Sequence, residues 1–339
     1  MTTTNVLVSG ASFAGLTIAY WLNRQGYRVT LVEVAEGLKK GGTPVDIVEE
    51  TVDIVQRMNI LDQVRAHSLP PRPTEFKSAD DVVEARMESE PVGEGGTQAR
   101  YEVPRDDLLR ILFDNVKDDV DVVFGDSIVS LTDIPAGVRA TFREMDDREF
   151  AMVVGSDGNH SLVRKLRFGA ESEFSHFLGQ YFAISIVNKE IIEPNVTEVY
   201  ATPGRSVLLN SYDHKTDICF SFHSEVEISY DYRNQDEQRN IVSDRFKDDG
   251  RRTADLLEEF ATADNFYFDK LCQIKMTRWV RHRRRLRSVR PQPASVRRTH
   301  PGRSRQLRTG DLLPGNRRPA PDAQPPSSHL AARVASTRR

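Results

Sequence analysis

The residues with the clearest chemical potential lie near the N-terminus, in Gly10-Ala11-Ser12-Phe13-Ala14-Gly15. Gly10 permits a sharp turn out of a strand, Ser12 lets backbone approach a ligand closely, and Gly15 allows a helix to pack tightly on that strand. The first N–H groups of such a helix, those of Phe13 and Ala14 among them, lack intrahelical partners and point at the turn. That arrangement suits the pyrophosphate of a dinucleotide. Glu33 follows 23 residues after Gly10, where a carboxylate can accept hydrogen bonds from both ribose hydroxyls of an adenosine. Ser12 departs from the G-x-G-x-x-G pattern. On this unit alone, a flavin dinucleotide and a nicotinamide dinucleotide both fit.

The elements that must position this turn are legible around it. Asn5–Ser9 (NVLVS) is apolar and β-branched and predicts a short buried strand. Leu16–Arg24 predicts a helix with Leu16, Ala19, Tyr20 and Leu22 available for an apolar face, and Gly26 is placed to end it. Arg28–Glu33 (RVTLVE) predicts the next strand, so the first 33 residues read as a β-α-β unit opening a parallel sheet. Further helices are predicted at Glu49–Met58, Ile60–Ala66, Asp106–Val116, Asp236–Lys247 and Thr253–Thr262. Residues 120–155 alternate in strand fashion, and four more strand-like runs fall between Gly179 and Phe222.

A second motif narrows the choice of ligand. The chain reads Gly155-Ser156-Asp157-Gly158-Asn159-His160-Ser161-Leu162-Val163-Arg164, about 145 residues after the first turn. Gly155, Asp157, Gly158, Ser161 and Arg164 match a G-x-D-G-x-x-S-x-x-R segment. This resembles the para-hydroxybenzoate hydroxylase family of FAD-dependent monooxygenases, the aromatic hydroxylases, over roughly residues 4–281. The resemblance implies that Asp157 and Gly158 pack beside the FAD pyrophosphate, in a segment also linked to reduced nicotinamide. Gly41-Gly42-Thr43-Pro44-Val45-Asp46 resembles the family loop that approaches the flavin ring, which makes Asp46 a candidate contact. Tyr101–Leu108 resembles the segment whose arginine meets the flavin side of FAD, a role that falls to Arg105. Val34 stands where the family often has arginine.

The resemblance also implies an architecture and a reaction. The fold class expected is α/β: a Rossmann-like FAD-binding layer, a sheet-rich substrate layer, and a disordered basic tail. Residues 1–170 would form the main FAD-binding part, 171–281 the substrate sheet and the return, and 282–339 the tail. NADH or NADPH would reduce FAD, and an oxygen atom from molecular oxygen would reach a small aromatic or electron-rich substrate. The cofactor carries such chemistry while the protein supplies position and a dry pocket. His176, His214 and His223 near the expected sheet read as surface or structural histidines rather than acid-base groups. The only tryptophans are Trp21 and Trp279, so the W-x-W-x-I-P motif of flavin-dependent halogenases is absent.

Composition sets limits. No apolar run is long enough to span a membrane, no signal-peptide pattern opens the chain, and Cys219 and Cys272 are too few for a disulfide framework. A cytoplasmic setting is expected. The net charge of −3 conceals an asymmetry. Residues 283–339 hold 15 arginines, two aspartates and no lysine or glutamate, leaving 32 basic and 48 acidic side chains for residues 1–282. Residues 282–339 also contain eight prolines and no Phe, Trp or Tyr, a composition that predicts disorder.

The family's third segment, a Gly-Asp whose aspartate holds the ribityl chain and which leads into a long helix, should follow Trp279-Val280-Arg281. It does not: the chain continues His282-Arg283-Arg284-Arg285-Leu286, and Gly310-Asp311 comes about 25 residues late with no strand before it. A reading-frame shift near codon 281 is the hypothesis that accounts for this. One base later, codons for His282–Leu286 can spell Ile-Val-Gly-Asp, and those for Pro301–Leu312 can spell Leu-Ala-Val-Val-Gly-Asn-Tyr-Val-Leu-Ala-Thr. Weak FAD binding and low activity are then expected of the chain as written. The alternative is a non-catalytic remnant or binding protein whose arginine-rich tail binds nucleic acid through phosphate charge. No aromatic is interleaved there for base stacking, so nucleic acid is the less expected partner.

Overall fold

The computed structural model describes residues 4–89, 99–250 and 252–280. The described residues all lie in the first of the chain's two units, Met1–Arg284. The reading of 282–339 as a disordered tail falls outside the described residues.

The first unit opens with β1 (Asn5–Ser9), α1 (Phe13–Arg24) and β2 (Arg28–Glu33). There follow β3 (Val45–Val48), α2 (Glu50–Arg57), α3 (Leu61–Ala66), β4 (Thr74–Lys77) and β5 (Val83–Met87). The chain continues through β6 (Arg100–Val103), α4 (Arg105–Asp114) and β7 (Asp121–Phe124). A three-stranded run, β8 (Ile128–Ile134), β9 (Gly137–Phe142) and β10 (Arg148–Phe150), precedes β11 (Met152–Gly155) and α5 (Leu162–Arg167).

The expected parallel sheet is present, in the order β11-β1-β2-β7, with Val6 opposite Met152 on one side and Val29 on the other. Val6, Leu7 and Val8 are all fully buried, as a strand covered on both faces requires. On one face Val8 meets Leu16 and Ala19 of α1 and Leu108 and Leu109 of α4. On the other, Leu7 and Val32 meet Ile128, Phe142, Phe150 and Val163, so the antiparallel β8-β9-β10 sheet roofs that side. The run FAMVVG is split at Ala151: β10 pairs with β9, and β11 crosses to β1.

The second layer is a seven-stranded sheet. Its later strands are β12 (Ser175–Val187), β13 (Thr197–Thr202), β14 (Arg205–Tyr212), β15 (Lys215–His223) and β16 (Asn265–Ile274). The order is β16-β12-β15-β14-β13-β4-β5. Strands β4 and β5 come from the first part of the chain, and β13 lies parallel to β4. Helices α6 (Gln235–Phe246) and α7 (Thr253–Thr262) cover one face. Phe246 and Phe260 pack on Phe220, with ring centroids 4.8 and 5.0 Å away, among Tyr181, Val207, Leu209 and Phe222. Alternation along each strand leaves the opposite residues of the sheet facing the other way.

Candidate functional site

The first turn closes as its residue types require. Gly10 has φ +101°, and its N–H bonds the Val32 carbonyl at 2.8 Å. A Cβ on Gly15 would lie 1.8 Å from the Gly10 carbonyl oxygen, so helix α1 leaves the strand at a distance that only glycine permits. Ser12 occupies the N-cap position of α1 but makes no side-chain cap bond. The Leu16 N–H is the first to bond back, to the Ser12 carbonyl at 2.9 Å. The helix therefore presents open N–H groups at Phe13, Ala14 and Gly15.

Glu33 stands at the end of β2 beside that turn. Its Oε2 accepts the Ala11 N–H at 2.8 Å and its Oε1 accepts the Ala35 N–H at 3.0 Å. Each oxygen retains a lone pair, so the fixed carboxylate can still accept from hydroxyls. A closed glycine turn, an uncapped helix start and an oriented acid fit the pyrophosphate and adenosine end of FAD.

The second motif is set against the first. Gly158 turns with φ +78°. Asp157 accepts from Ser161 Oγ at 2.5 Å, the Val163 N–H at 3.0 Å and Ser9 Oγ at 3.4 Å. Its carboxylate thus organises the turn into α5 and holds that turn on the end of β1. Ser161 Oγ also caps α5 by accepting the Arg164 N–H at 3.0 Å. Arg164 is buried, and its guanidinium donates to the Asn159 and Gly158 carbonyls while Nε has no partner among the described residues.

Arg105, at the start of α4, reaches back to the loop after β2. Its Nη1 donates to the carbonyls of Lys39 at 3.1 Å and Gly41 at 3.0 Å, and its guanidinium carbon lies 5.3 Å from the Phe13 ring centroid. Asp106 accepts the Gly41 N–H at 2.9 Å. Phe13, Gly41 and Arg105 are therefore brought together. Asp46 is not in a loop: it lies on β3 opposite Glu102 and forms a two-point pair with Arg100, at 3.0 and 2.9 Å.

The sheet face turned away from α6 and α7 carries a continuous cross-strand row. Phe76, Val199, Leu208, Cys219, Ile184 and Tyr267 are neighbours in register, and all six are half-buried. The loop with Arg105's partners faces one end of it, since Lys39 Nζ lies 5.2 Å from the Tyr267 ring centroid. Two residues along β15 from Cys219 lies Asp217; close by, Arg72, just before β4, pairs with Glu102 and lies 5.6 Å from the Tyr212 ring. The Tyr212 hydroxyl donates to Asp217 at 2.9 Å. Burial pushes the Asp217 carboxyl up to about 7, and burial likewise holds Glu102 above its ordinary range despite Arg72.

These polar groups escaped the sequence reading. Arg72 follows a proline-rich break, and Asp217 looks like one acid in a strand. Only strand register puts them together. None of the three histidines belongs to the row: His176 and His223 are exposed, and His214 sits in the β14–β15 turn 3.0 Å from Glu190. Among the described residues no cluster could hold a metal ion, and no helix is long and apolar enough to cross a membrane.

Comparison with known proteins agrees with this geometry. A family profile described as an FAD binding domain matches residues 3–263. The uncharacterized protein Rv1260 of Mycobacterium tuberculosis is 36% identical over 283 residues, covering 82% of this chain and 75% of that protein. A flavin-dependent monooxygenase of Legionella longbeachae is 27% identical over 281 residues, covering 82% and 71%. The crystal structure of tetracycline destructase Tet(55) matches with a TM-score of 0.73 at 26% identity, over 82% of this chain and 71% of that one. Klebsiella pneumoniae HpxO complexed with FAD and uric acid shares the fold, with a TM-score of 0.61 at 18% identity over 80% and 68%. With the profile spanning most of the chain and the glycine turn and Asp157 turn set against each other at the end of β1, this chain belongs to the FAD-dependent monooxygenases of the aromatic-hydroxylase type.

Proposed function

We propose that this chain carries the framework of an NAD(P)H-dependent hydroxylase for a small aromatic or electron-rich substrate, and that loss of the third FAD segment impairs it. The observation that carries the substrate reading is the half-buried apolar row from Phe76 to Tyr267. A flat apolar ring fits such a face. When bound, FAD supplies the redox chemistry that activates oxygen. Gly10, Ser12, Phe13, Ala14, Gly15 and Glu33 would hold its adenosine and pyrophosphate end, with Asp157 and Gly158 beside them. Arg105 would meet the flavin side of FAD, and Asp46 would contact it from β3, where it also pairs with Arg100.

Two observations support impairment. The matched relatives cover 82% of this chain, and the unmatched remainder is about the length of the arginine-rich segment. Among the described residues, an apolar groove of about 430 Å³ also lies open along α1, lined by Phe13, Ile18, Trp21, Ile54, Val55 and Leu112. A helix following the third segment would be the natural cover for a surface of this kind. The test is to resequence the gene from codon 270 past its stop and to purify both the chain as written and a one-base-corrected form. The corrected form is expected to carry flavin and to consume NADPH or NADH, with a tetracycline as the first substrate probe because Tet(55) is a tetracycline destructase. Stoichiometric flavin in the uncorrected chain would defeat the impairment.

A further inference from the structure

The second motif contains a side chain that its glycine, acid and serine do not explain. His160 lies three residues beyond Asp157, and both of its ring nitrogens face carboxylates. Nδ1 is 2.9 Å from Glu171 Oε2, in the 3-10 turn Glu171–Glu173, and Nε2 is 3.8 Å from Asp269 Oδ1 on β16. The Tyr232 ring lies nearly parallel to the imidazole, at 6.2 Å and 17°. Asp269 is 5% exposed, accepts the Tyr267 hydroxyl at 3.0 Å, and accepts the Lys270 N–H at 2.8 Å. Lys270 Nζ is 4.0 Å from Glu171 and pairs with Glu227. Tyr181 and Tyr230 are further titratable groups near Asp269.

The charge state follows from who can donate. A carboxylate only accepts, so Nδ1 at 2.9 Å from Glu171 must carry a proton. In the neutral ring the Nε2 lone pair would then face the negative charge of Asp269. A second proton converts that repulsion into an ion pair, although 3.8 Å is too long for a hydrogen bond.

We propose that His160 is an imidazolium latch that fastens the Asp157–Gly158 turn of the cofactor layer to β16 of the substrate sheet. Through Asp269 the same latch holds the Tyr267 phenol in place. The Tyr267 ring ends the apolar row and lies 5.6 Å from the Phe182 ring. His160 is a positioning residue that joins the two layers where the expected cofactor and substrate sites adjoin. This inference rests on the packing alone and survives if the substrate reading fails.

The pH dependence has a definite sign. The paired carboxylates raise His160 from 6.5 to about 9, Asp269 first among them and against the opposing effect of burial. A histidine raised on folding stabilises fully below its unfolded value, and that stabilisation is lost as pH rises through the folded one. The latch is therefore closed at neutral pH and opens near pH 9.

The experiment is a ¹⁵N-imidazole NMR titration of the full chain from roughly pH 5.5 to 10.5, with His160 assigned by its loss in His160→Gln. Amide hydrogen exchange, corrected for its intrinsic pH dependence, is followed over residues 158–161 and 267–270 in parallel. The expected midpoint is about 9, with protection of both segments falling together as it is crossed. In His160→Gln the two segments should lack that pH-dependent step, while β1 and β2 keep their protection. Asp269→Asn, which retains a hydrogen-bond partner for Tyr267, should lower the His160 midpoint toward the ordinary value by about a unit or more, a tenfold change in proton affinity per unit. A wild-type midpoint near the ordinary value would overturn the latch, as would a step that persists in His160→Gln. Should His160→Gln fail to fold, the midpoints of the wild type and Asp269→Asn decide the matter, an unchanged midpoint refuting it.

Discussion

At Gly15 there is no room for a methyl group, because an added Cβ would stand 1.8 Å from the Gly10 carbonyl oxygen. That oxygen belongs to backbone and cannot rotate away. Helix α1 must therefore slide along the strand or tilt, although its own Leu16 and Ala19 are fully buried against the sheet. Overpacking of this kind costs about 1–3 kcal/mol, and a backbone clash stands at the upper end. Gly15→Ala is expected to lower the urea midpoint of the chain at an unchanged m-value. A midpoint equal to the wild type would mean that the turn relaxes more cheaply than its geometry indicates. Gly10 and Gly15 were legible from spacing because the constraint is local. The Arg105 contacts with Lys39 and Gly41 were legible only as a resemblance, since they join residues more than sixty positions apart. Nothing in the sequence marks His160 and Asp269 as a pair.

Among elements, the junction of β7, β8 and β9 depends on a single buried carboxylate. Asp126 is 2% exposed and accepts the N–H groups of Ser127 at 2.7 Å and of Arg143, Glu144 and Met145, each at 3.0 Å. Burial alone would raise its carboxyl, but the four backbone bonds prevail and hold it below 3.8. An acid lowered on folding contributes stability above its unfolded value and loses it as pH falls through the folded one. Asp126→Asn keeps one acceptor, replaces the other by a donor facing N–H groups, and should cost about 1–3 kcal/mol near neutral pH. The penalty should shrink below about pH 4. Urea titrations at pH 7 and pH 3 check this, and equal penalties at both would refute the assignment. At this scale the sequence reading succeeds wherever the apolar period is intact: β1, α1, β2, α4 and α7 fall where predicted, within a few residues. It misses β3, β4, β5, β6 and β16. Strand β5 is exposed throughout and so has no alternation to read, and β16 draws its two-sided pattern from Phe266 and Phe268 on one face against Tyr267 and Asp269 on the other. Such strands are set by their neighbours rather than by their own residues.

For the whole molecule, charge is divided by position in the chain. Residues 1–282 carry 48 acidic against 32 basic side chains, while residues 283–339 carry 15 arginines against two aspartates. Fifteen guanidiniums without lysine can neutralise phosphates, and no Phe, Trp or Tyr after Trp279 adds an aromatic platform for bases. The acidic remainder of the chain competes for the same guanidiniums. Any affinity for duplex DNA should therefore be sequence-independent and steep in salt, falling about a thousandfold or more between roughly 50 and 200 mM. It should vanish when residues 282–339 are removed. Fluorescence anisotropy with two unrelated duplexes, titrated at both salt concentrations, measures this directly. Equal, salt-labile binding to both duplexes fits a segment whose arginines arise from reading the gene out of frame. Selective binding that persists at the higher salt would mean that the arginine-rich segment has a recognition role of its own, and the frame-shift account of this chain would then have to be abandoned.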